Sequence, residues 1–319
     1  MIPFVKIFLD QFGKKDLVGL DIGSCLSKVV KVKKEPSGKL VLEKVGIAPN
    51  PSNPSQVPSL RHFIEENSLK GLAVACNLSG EMPSKKIEVP VMPESDLQQA
   101  ILWMMKDGVE GDIDLYSVRS LLLDELTIGD TQKQIRLVLA IKKEVVTSRV
   151  TLLRQLGLVP VSLEPDATAL LAVFDANEEW EKGKKYVFVD LGTSKTLFLI
   201  FSDQKLLFYR TLPIILPHYE KSLECQNLFG QLAVEIQRAV DAFCILFHID
   251  KVERIVLAGG GTLFPEIATY LSKNMGIETT IFDPFKKIQV PLGLEPALKD
   301  QRPLYAIATG LALTEMRRG

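Results

Sequence analysis

The sequence predicts a two-lobed α/β protein whose halves repeat one plan. Three observations lead there. An apolar strand, Asp, an apolar residue, Gly, Ser or Thr, a short turn and a second apolar strand occur around Asp21 and again around Asp190, 169 residues later. This is an internal duplication of a β-meander, spaced too widely for a solenoid. Next, Gly259-Gly260-Gly261 joins an apolar run to a helical one. Finally, 319 residues with 46% hydrophobic and 24% charged content supply core enough for about two domains.

The elements follow in order. Phe4, Ile7, Phe8 and Phe12 have helical spacing, so Met1–Phe12 is expected to be a short amphipathic helix, packed on its own domain or touching a membrane surface or partner. It has neither the basic start nor the small-residue cleavage site of a secretory signal. Strands are expected at Leu17–Asp21, Val29–Val32 and Leu40–Leu42, the last two joined by the turn Pro36-Ser37-Gly38. The proline-rich stretch Pro49–Pro58 reads as a loop, Leu60–Asn67 as a helix and Gly71–Asn77 as a buried strand.

From about Lys85 to Leu158 the pattern is that of a separate α+β module. It holds the strand Ile87–Val89 and a helix Glu94–Lys106 capped by Ser95, with Leu97, Ile101 and Met104 or Met105 on one face. Strands Tyr116–Leu123 and Ile135–Ile141 and a helix Lys143–Leu156 closed by Gly157 complete it. Trp103-Met104-Met105 suits either a core or a partner groove. The second half opens as the first does, with strands Tyr186–Asp190, Thr196–Phe201 and Leu206–Thr211. It continues through a long helix Leu228–Phe247, a strand Arg254–Leu257, a helix Pro265–Lys273 and a small-residue helix Pro303–Thr314 suited to close backbone packing.

Composition excludes several classes. Thirty-eight Lys plus Arg against thirty-nine Asp plus Glu leave a net charge of −1, without the basic excess of a dedicated nucleic-acid binder. No run reaches the roughly 18–20 apolar residues of a membrane span. Cys25, Cys76, Cys225 and Cys244 are scattered, so neither a disulfide framework nor a zinc site is expected, and a reducing cytosol is the simplest compartment. His62, His218 and His248 form no ligand spacing.

The repeated turn has a chemical logic. Glycine lets backbone N–H groups approach an anion, and the neighbouring Ser24 or Thr193 hydroxyl adds a hydrogen bond to phosphate. An aspartate beside such an anion site makes sense when Mg²⁺ and its waters lie between them. Lys28 can return across the hairpin toward a polyphosphate, and the glycine run 259–261 lets a flat base or ribose lie on the backbone before a helix N-terminus. One such turn is weak evidence; two, with the Gly-Gly-Gly turn and the small-residue helix in one order, point to a nucleotide fold.

These motifs resemble those of the actin, heat-shock chaperone and sugar-kinase superfamily of two-lobed ATPases. DIGSCLSK (Asp21–Lys28) and DLGTSKT (Asp190–Thr196) resemble its phosphate loops. LAGGGTLFPEI (Leu257–Ile267) resembles its adenosine loop, and EPDATALLA (Glu164–Ala172) and AIATGLAL (Ala306–Leu313) its connecting helices. Within it, the chain resembles the PilM family of type IV pilus assembly proteins over nearly its whole length. VGLDIGSCLSKVVKV, VPVMPESDLQQAILWMMK, LLRQLGLVPVSLEPDA, EIQRAVDAF and VERIVLAGGGTLFPEI carry that likeness. The resemblance implies an actin-like ATPase fold, with duplicated ribonuclease H-like lobes and an inserted α+β subdomain of FtsA/PilM type. The implied divisions are 1–82, first lobe; 83–160, inserted subdomain; 161–183, first connecting helix; 184–300, second lobe; 301–319, C-terminal connecting helix.

By the same resemblance the protein is a cytoplasmic scaffold of a type IV pilus or type II secretion platform, binding ATP and Mg²⁺ with at most slow turnover. It would dock the cytoplasmic tail of a PilN-like bitopic inner-membrane protein, could meet the pilus or secretion ATPase machinery, and would lie peripherally at the inner membrane. Asp21 and Asp190 would hold Mg²⁺ through water. Gly23, Ser24, Lys28, Gly192 and Thr193 would contact phosphates, and Gly259, Gly260 and Gly261 would line the adenosine. Glu235 and Arg238, three apart on a helix, would reach base and ribose, and Glu164 would sit near the attacking water. Glu164 equally suits a helix-start acid, Glu235 and Arg238 a surface ion pair, and Lys28 a solvated strand residue. Cys25, Leu26 and Lys195 depart from the family pattern, as does the short run from Arg210 to Glu235, which implies a trimmed second lobe. Two rivals follow: a degenerate scaffold that binds no nucleotide, and a small-molecule kinase. The kinase needs an aspartate base, for which Asp166 is the obvious residue, although its offset from Glu164 suggests that it turns away.

Overall fold

The computed structural model describes residues 5–6, 17–49, 57–128, 131–215, 224–264 and 266–314. Most of the Met1–Phe12 segment therefore lies outside the described residues. Its described part, β1 (Val5–Lys6), is a strand rather than helix and pairs antiparallel with Leu163 and Ser162.

The first lobe begins with an antiparallel meander of β2 (Val18–Ile22), β3 (Leu26–Lys34) and β4 (Leu40–Pro49). The helix α1 (Val57–Glu66) leads to β5 (Ala73–Leu78), which lies parallel to β2. All six β5 residues are buried, as a parallel strand covered on both faces requires. A further strand, β9 (Val159–Pro165), joins β5 in parallel, so the sheet order is β1-β9-β5-β2-β3-β4. Sequence reading placed Glu164 at the start of a helix. It is instead near the end of this strand, and the helix α4 (Asp166–Asn177) starts two residues later.

Between β5 and β9 the chain builds the inserted module. Its strands β6 (Ser84–Pro90), β7 (Tyr116–Ile128) and β8 (Thr131–Lys142) form a sheet in the order β6-β8-β7. On it lies α2 (Glu94–Met105), whose Leu97, Ile101 and Met105 are buried against Ile87, Val89 and Val138. The residue before α2 is Pro93, and Ser95 makes no cap; its hydroxyl donates to Asp96 instead. The helix α3 (Lys143–Gln155) follows β8 without a loop, and its Leu153 packs into a core that joins first-lobe residues such as Val74 and Leu163 to Leu137, Leu139 and Ile141 of β8, apart from the cluster under α2. The module also touches the second lobe. Lys205 Nζ donates to the Leu123 carbonyl at 2.6 Å, and Lys86 Nζ lies 3.9 Å from the centre of the Phe247 ring.

The second lobe repeats the plan. β10 (Tyr186–Leu191), β11 (Thr196–Ser202) and β12 (Lys205–Leu212) form the meander. β13 (Arg254–Ala258) joins β10 in parallel, and β14 (Glu278–Ile281) joins β13 likewise. The order β12-β11-β10-β13-β14 mirrors β4-β3-β2-β5-β9, so the duplication extends to five strands. The long helix α5 (Glu224–Phe247) and α6 (Ile267–Met275) cover one face. Residues 216–223, within the run expected to be short for the family, lie outside the described residues.

After a single turn, α7 (Glu295–Leu298), the chain ends its described part in α8 (Ala306–Thr314), which returns to the first lobe and crosses α4. A Cβ at Gly310 would stand 1.9 Å from the Ala169 carbonyl oxygen, so the two backbones touch where only glycine fits. Close packing by the small-residue helix is thus present.

Candidate functional site

Each meander carries its aspartate at or near the end of the first strand and then reverses. In the first turn Gly23 N donates to the Leu26 carbonyl at 3.1 Å; in the second Gly192 N donates to the Lys195 carbonyl at 3.1 Å. The two turns therefore share one hydrogen-bond scheme. They also face one another, with Ser24 Oγ 3.1 Å from Thr193 Oγ1. Around this meeting point lies a cavity of about 790 Å³, lined by both turns and by Asn77, Arg149, Asp166 and Gly259–Gly260. The volume lies in the range of small-ligand sites.

Asp21, Asp166, Asp190 and Glu144 together with Lys28, Lys195 and Arg149 supply its charged lining. Lys28, cross-strand partner of Asp21, donates to Asp21 Oδ2 at 2.9 Å. Lys195 of the second turn reaches across the cleft to Asp166 Oδ2 at 2.5 Å. Asn77, at the end of β5, lies 2.9 Å from Asp21 Oδ1 and 3.0 Å from Asp166 Oδ1 through its Nδ2, while its oxygen accepts from the Ile22 N–H. Burial raises the pKa of Asp21, with Lys28 opposing. Burial also disfavours the Lys28 ammonium, but the neighbouring Asp21 outweighs it and the lysine pKa rises. Asp190 has no ammonium of its own at contact distance among the described residues. Burial, with Asp166 adding to it, pushes its pKa up to about 7.

The expected site residues fall into two groups. Asp21, Gly23, Ser24, Lys28, Asp190, Gly192, Thr193, Gly259 and Gly260 all line the cavity. Gly23 and Gly192 do so without the left-handed backbone; of the glycines expected in the site only Gly259 adopts it, with φ +83°. A Cβ there would lie 2.6 Å from Asp190 Oδ1, so Gly259 keeps that carboxylate's place open. The others are elsewhere. Gly261 is buried in a short 3₁₀ turn, Gly260–Leu263, and α6 begins only at Ile267, so its N-terminus does not directly follow the glycines. Glu235 and Arg238 pair with each other at 2.6 Å and line a separate pocket with Gly230, Gln231 and Tyr270. Glu164 is fully buried and accepts hydrogen bonds from Ser162 and Thr168, away from the cavity lining.

Asp166, expected to turn away, faces in. Asn77 and Arg149 were not legible as site residues. Asn77 is simply the polar end of an apolar strand, and Arg149 lies on α3, which sequence alone assigns to the inserted module. The helical spacing of Glu144, Val145, Ser148, Arg149 and Leu152 was the available signal, since it puts them on one face, and that face is a wall of the cavity.

Comparison with known proteins fits this geometry. The class is a two-lobed protein of the actin-like ATPase fold. A chain of the PilM–PilN type IV pilus biogenesis complex matches with a TM-score of 0.82 at 21% identity, over 95% of this chain and 99% of that one. A diol dehydratase-reactivating factor in nucleotide-free form matches at 0.50 with 7% identity, over 95% and 100%. MreB5 of Spiroplasma citri bound to ADP gives 0.48 with 10% identity, over 95% and 97%. Within the class, the family model described as type IV pilus assembly protein PilM matches residues 218–316. No curated protein matches.

A magnesium nucleotide suits the residues present. With Asp21 and Asp166 each paired to a lysine, the third carboxyl group, Asp190, is buried, has no lysine at contact distance and lies beside the cavity next to a glycine that leaves it room. Mg²⁺ takes one or two carboxylates plus phosphate oxygens and water, so a single free carboxylate between two turns is an appropriate donor. Among the described residues no group of three or more His, Cys, Asp or Glu has the arrangement to hold a metal directly. Nor is any helix among them long and apolar enough to cross a membrane.

Proposed function

We propose that the protein is a PilM-type scaffold of a pilus or secretion platform. It binds Mg-ATP between its lobes and docks the cytoplasmic tail of a PilN-like bitopic membrane protein, which holds it at the inner membrane. The observation that carries the reading is the match of residues 218–316 to the PilM family model, and the fold shared with a chain of the PilM–PilN complex supports it. Nucleotide acts here by differential affinity for two lobe arrangements rather than by rapid turnover. The Asp166–Lys195 pair supports a conformational role, because it already links the two lobes across the cleft.

The inserted module offers the tail a surface. Trp103 on α2 is 72% exposed, with Val91 and Leu115 of the same module also exposed. Aromatic side chains of this kind dominate peptide interfaces. The test is fluorescence anisotropy with the labelled cytoplasmic tail of the PilN-like protein from the same organism. Binding is expected at micromolar or better affinity, weakened at least about tenfold by Trp103→Ala. No binding of that tail to the folded wild-type protein overturns the docking reading.

A small-molecule kinase remains a second reading on one observation, that Asp166 lines the cavity. Its ion pair with Lys195 and its contact with Asn77 occupy the carboxylate that a general base would need free. Stimulated loss of ATP with a small hydroxyl compound would favour this reading.

A further inference from the structure

Three cationic side chains line the cavity, and they are not equivalent. Lys28 is spent on Asp21 and Lys195 on Asp166. Arg149 makes no ion pair among the described residues; its nearest polar contact is Cys76 Sγ, 4.0 Å from one guanidinium nitrogen. Burial raises the pKa of Asp21 and of Cys76, and the Arg149 charge opposes that rise at both, whereas Arg149 is not among the groups acting on Asp190. Arg149 therefore lines the cavity from the first-lobe side, beside Cys76 of β5.

We propose that Arg149 is the residue that distinguishes a nucleoside triphosphate from a diphosphate in this cleft, by binding the terminal phosphoryl group, and that α3 carries this to the inserted module. The inference rests on the nucleotide reading above. An arginine with no carboxylate to satisfy is a strong and geometrically specific phosphate ligand. The next phosphoryl group beyond the two hairpin turns, on the first-lobe side, meets this guanidinium. The route onward is continuous: α3 begins at Lys143, directly after Lys142 ends β8, and β8 is the central strand of the inserted sheet. A pull on Arg149 thus acts on the module through a helix–strand junction with no intervening loop.

The experiment is calorimetric titration of the full chain with Mg-ADP and with a magnesium complex of a non-hydrolysable ATP analogue, for wild type, Arg149→Ala and Arg149→Gln. Circular dichroism confirms the fold of each. Hydrogen exchange of residues 131–142 is followed in both nucleotide states. The wild type is expected to prefer the triphosphate at least tenfold. Either variant is expected to lose that preference while keeping its diphosphate affinity within about threefold. Exchange in β8 is expected to differ between the two nucleotides in the wild type and to become equal in the variants. If wild type binds both nucleotides and the variants alter both affinities alike, or neither, the inference is overturned and the nucleotide reading stands. If wild type binds no nucleotide at all, both fall.

Discussion

At the scale of single residues, the site is a charge problem solved twice and left open once. Asp21 and Asp166 each hold a lysine, and Asp190 does not. Its pKa of about 7 against an ordinary 3.8 means that the folded protein keeps a proton that the unfolded chain releases. The stability linked to that proton is complete below about pH 3.8 and is lost as the pH rises through about 7. Asp190→Asn should therefore melt a few degrees above wild type at pH 8, with the gain shrinking steadily toward pH 5, as scanning calorimetry across that range would register. Equal melting differences at both ends would contradict the assignment. Asp21 and Asp190 were legible in the sequence because strand, acid and glycine recur in one order. Lys195 was legible only as a departure from the family pattern, since nothing local reveals that its partner is Asp166, 29 residues earlier. Asn77 left no signal, because its role exists only once β5 lies beside β2.

Among elements, the close crossing of α8 and α4 is the most exacting contact. Gly310→Val would drive methyl groups into the Ala169 carbonyl, where neither helix can yield without separating, and should cost at least about 3 kcal/mol in urea unfolding. A loss below about 1 kcal/mol would mean that the helices are not locked there. The small-residue pattern of α8 announced this packing, whereas β9 and β14 went unread for different reasons. β9 contains Pro160 and Pro165, which weigh against a strand in any local reading; its partner pairing with β5 overrides them. β14 has four residues, Glu-Thr-Thr-Ile, too few for alternation to register. α3 was legible as a helix, but periodicity shows that a helix has an apolar face and not which core receives it, and here Leu153 meets both β8 and first-lobe strands.

The whole molecule is two copies of a five-stranded unit with their acidic turns facing each other, bridged by Lys195–Asp166 and Ser24–Thr193 and flanked by a module that touches both lobes. The duplication was visible as sequence, and so was the convergence it implied. The depth of the cleft was not, because α3 forms one wall from a segment that reads as part of the insertion. On the proposed function, the paired turns hold one polyphosphate between them. The most direct measurement is a crystal structure with Mg²⁺ and a non-hydrolysable ATP analogue. Phosphates are expected between residues 22–25 and 192–195, with the cation on the Asp190 side of the cleft. Nucleotide bound elsewhere, with Lys28–Asp21 and Lys195–Asp166 intact and the space between the turns filled by water, would contradict it.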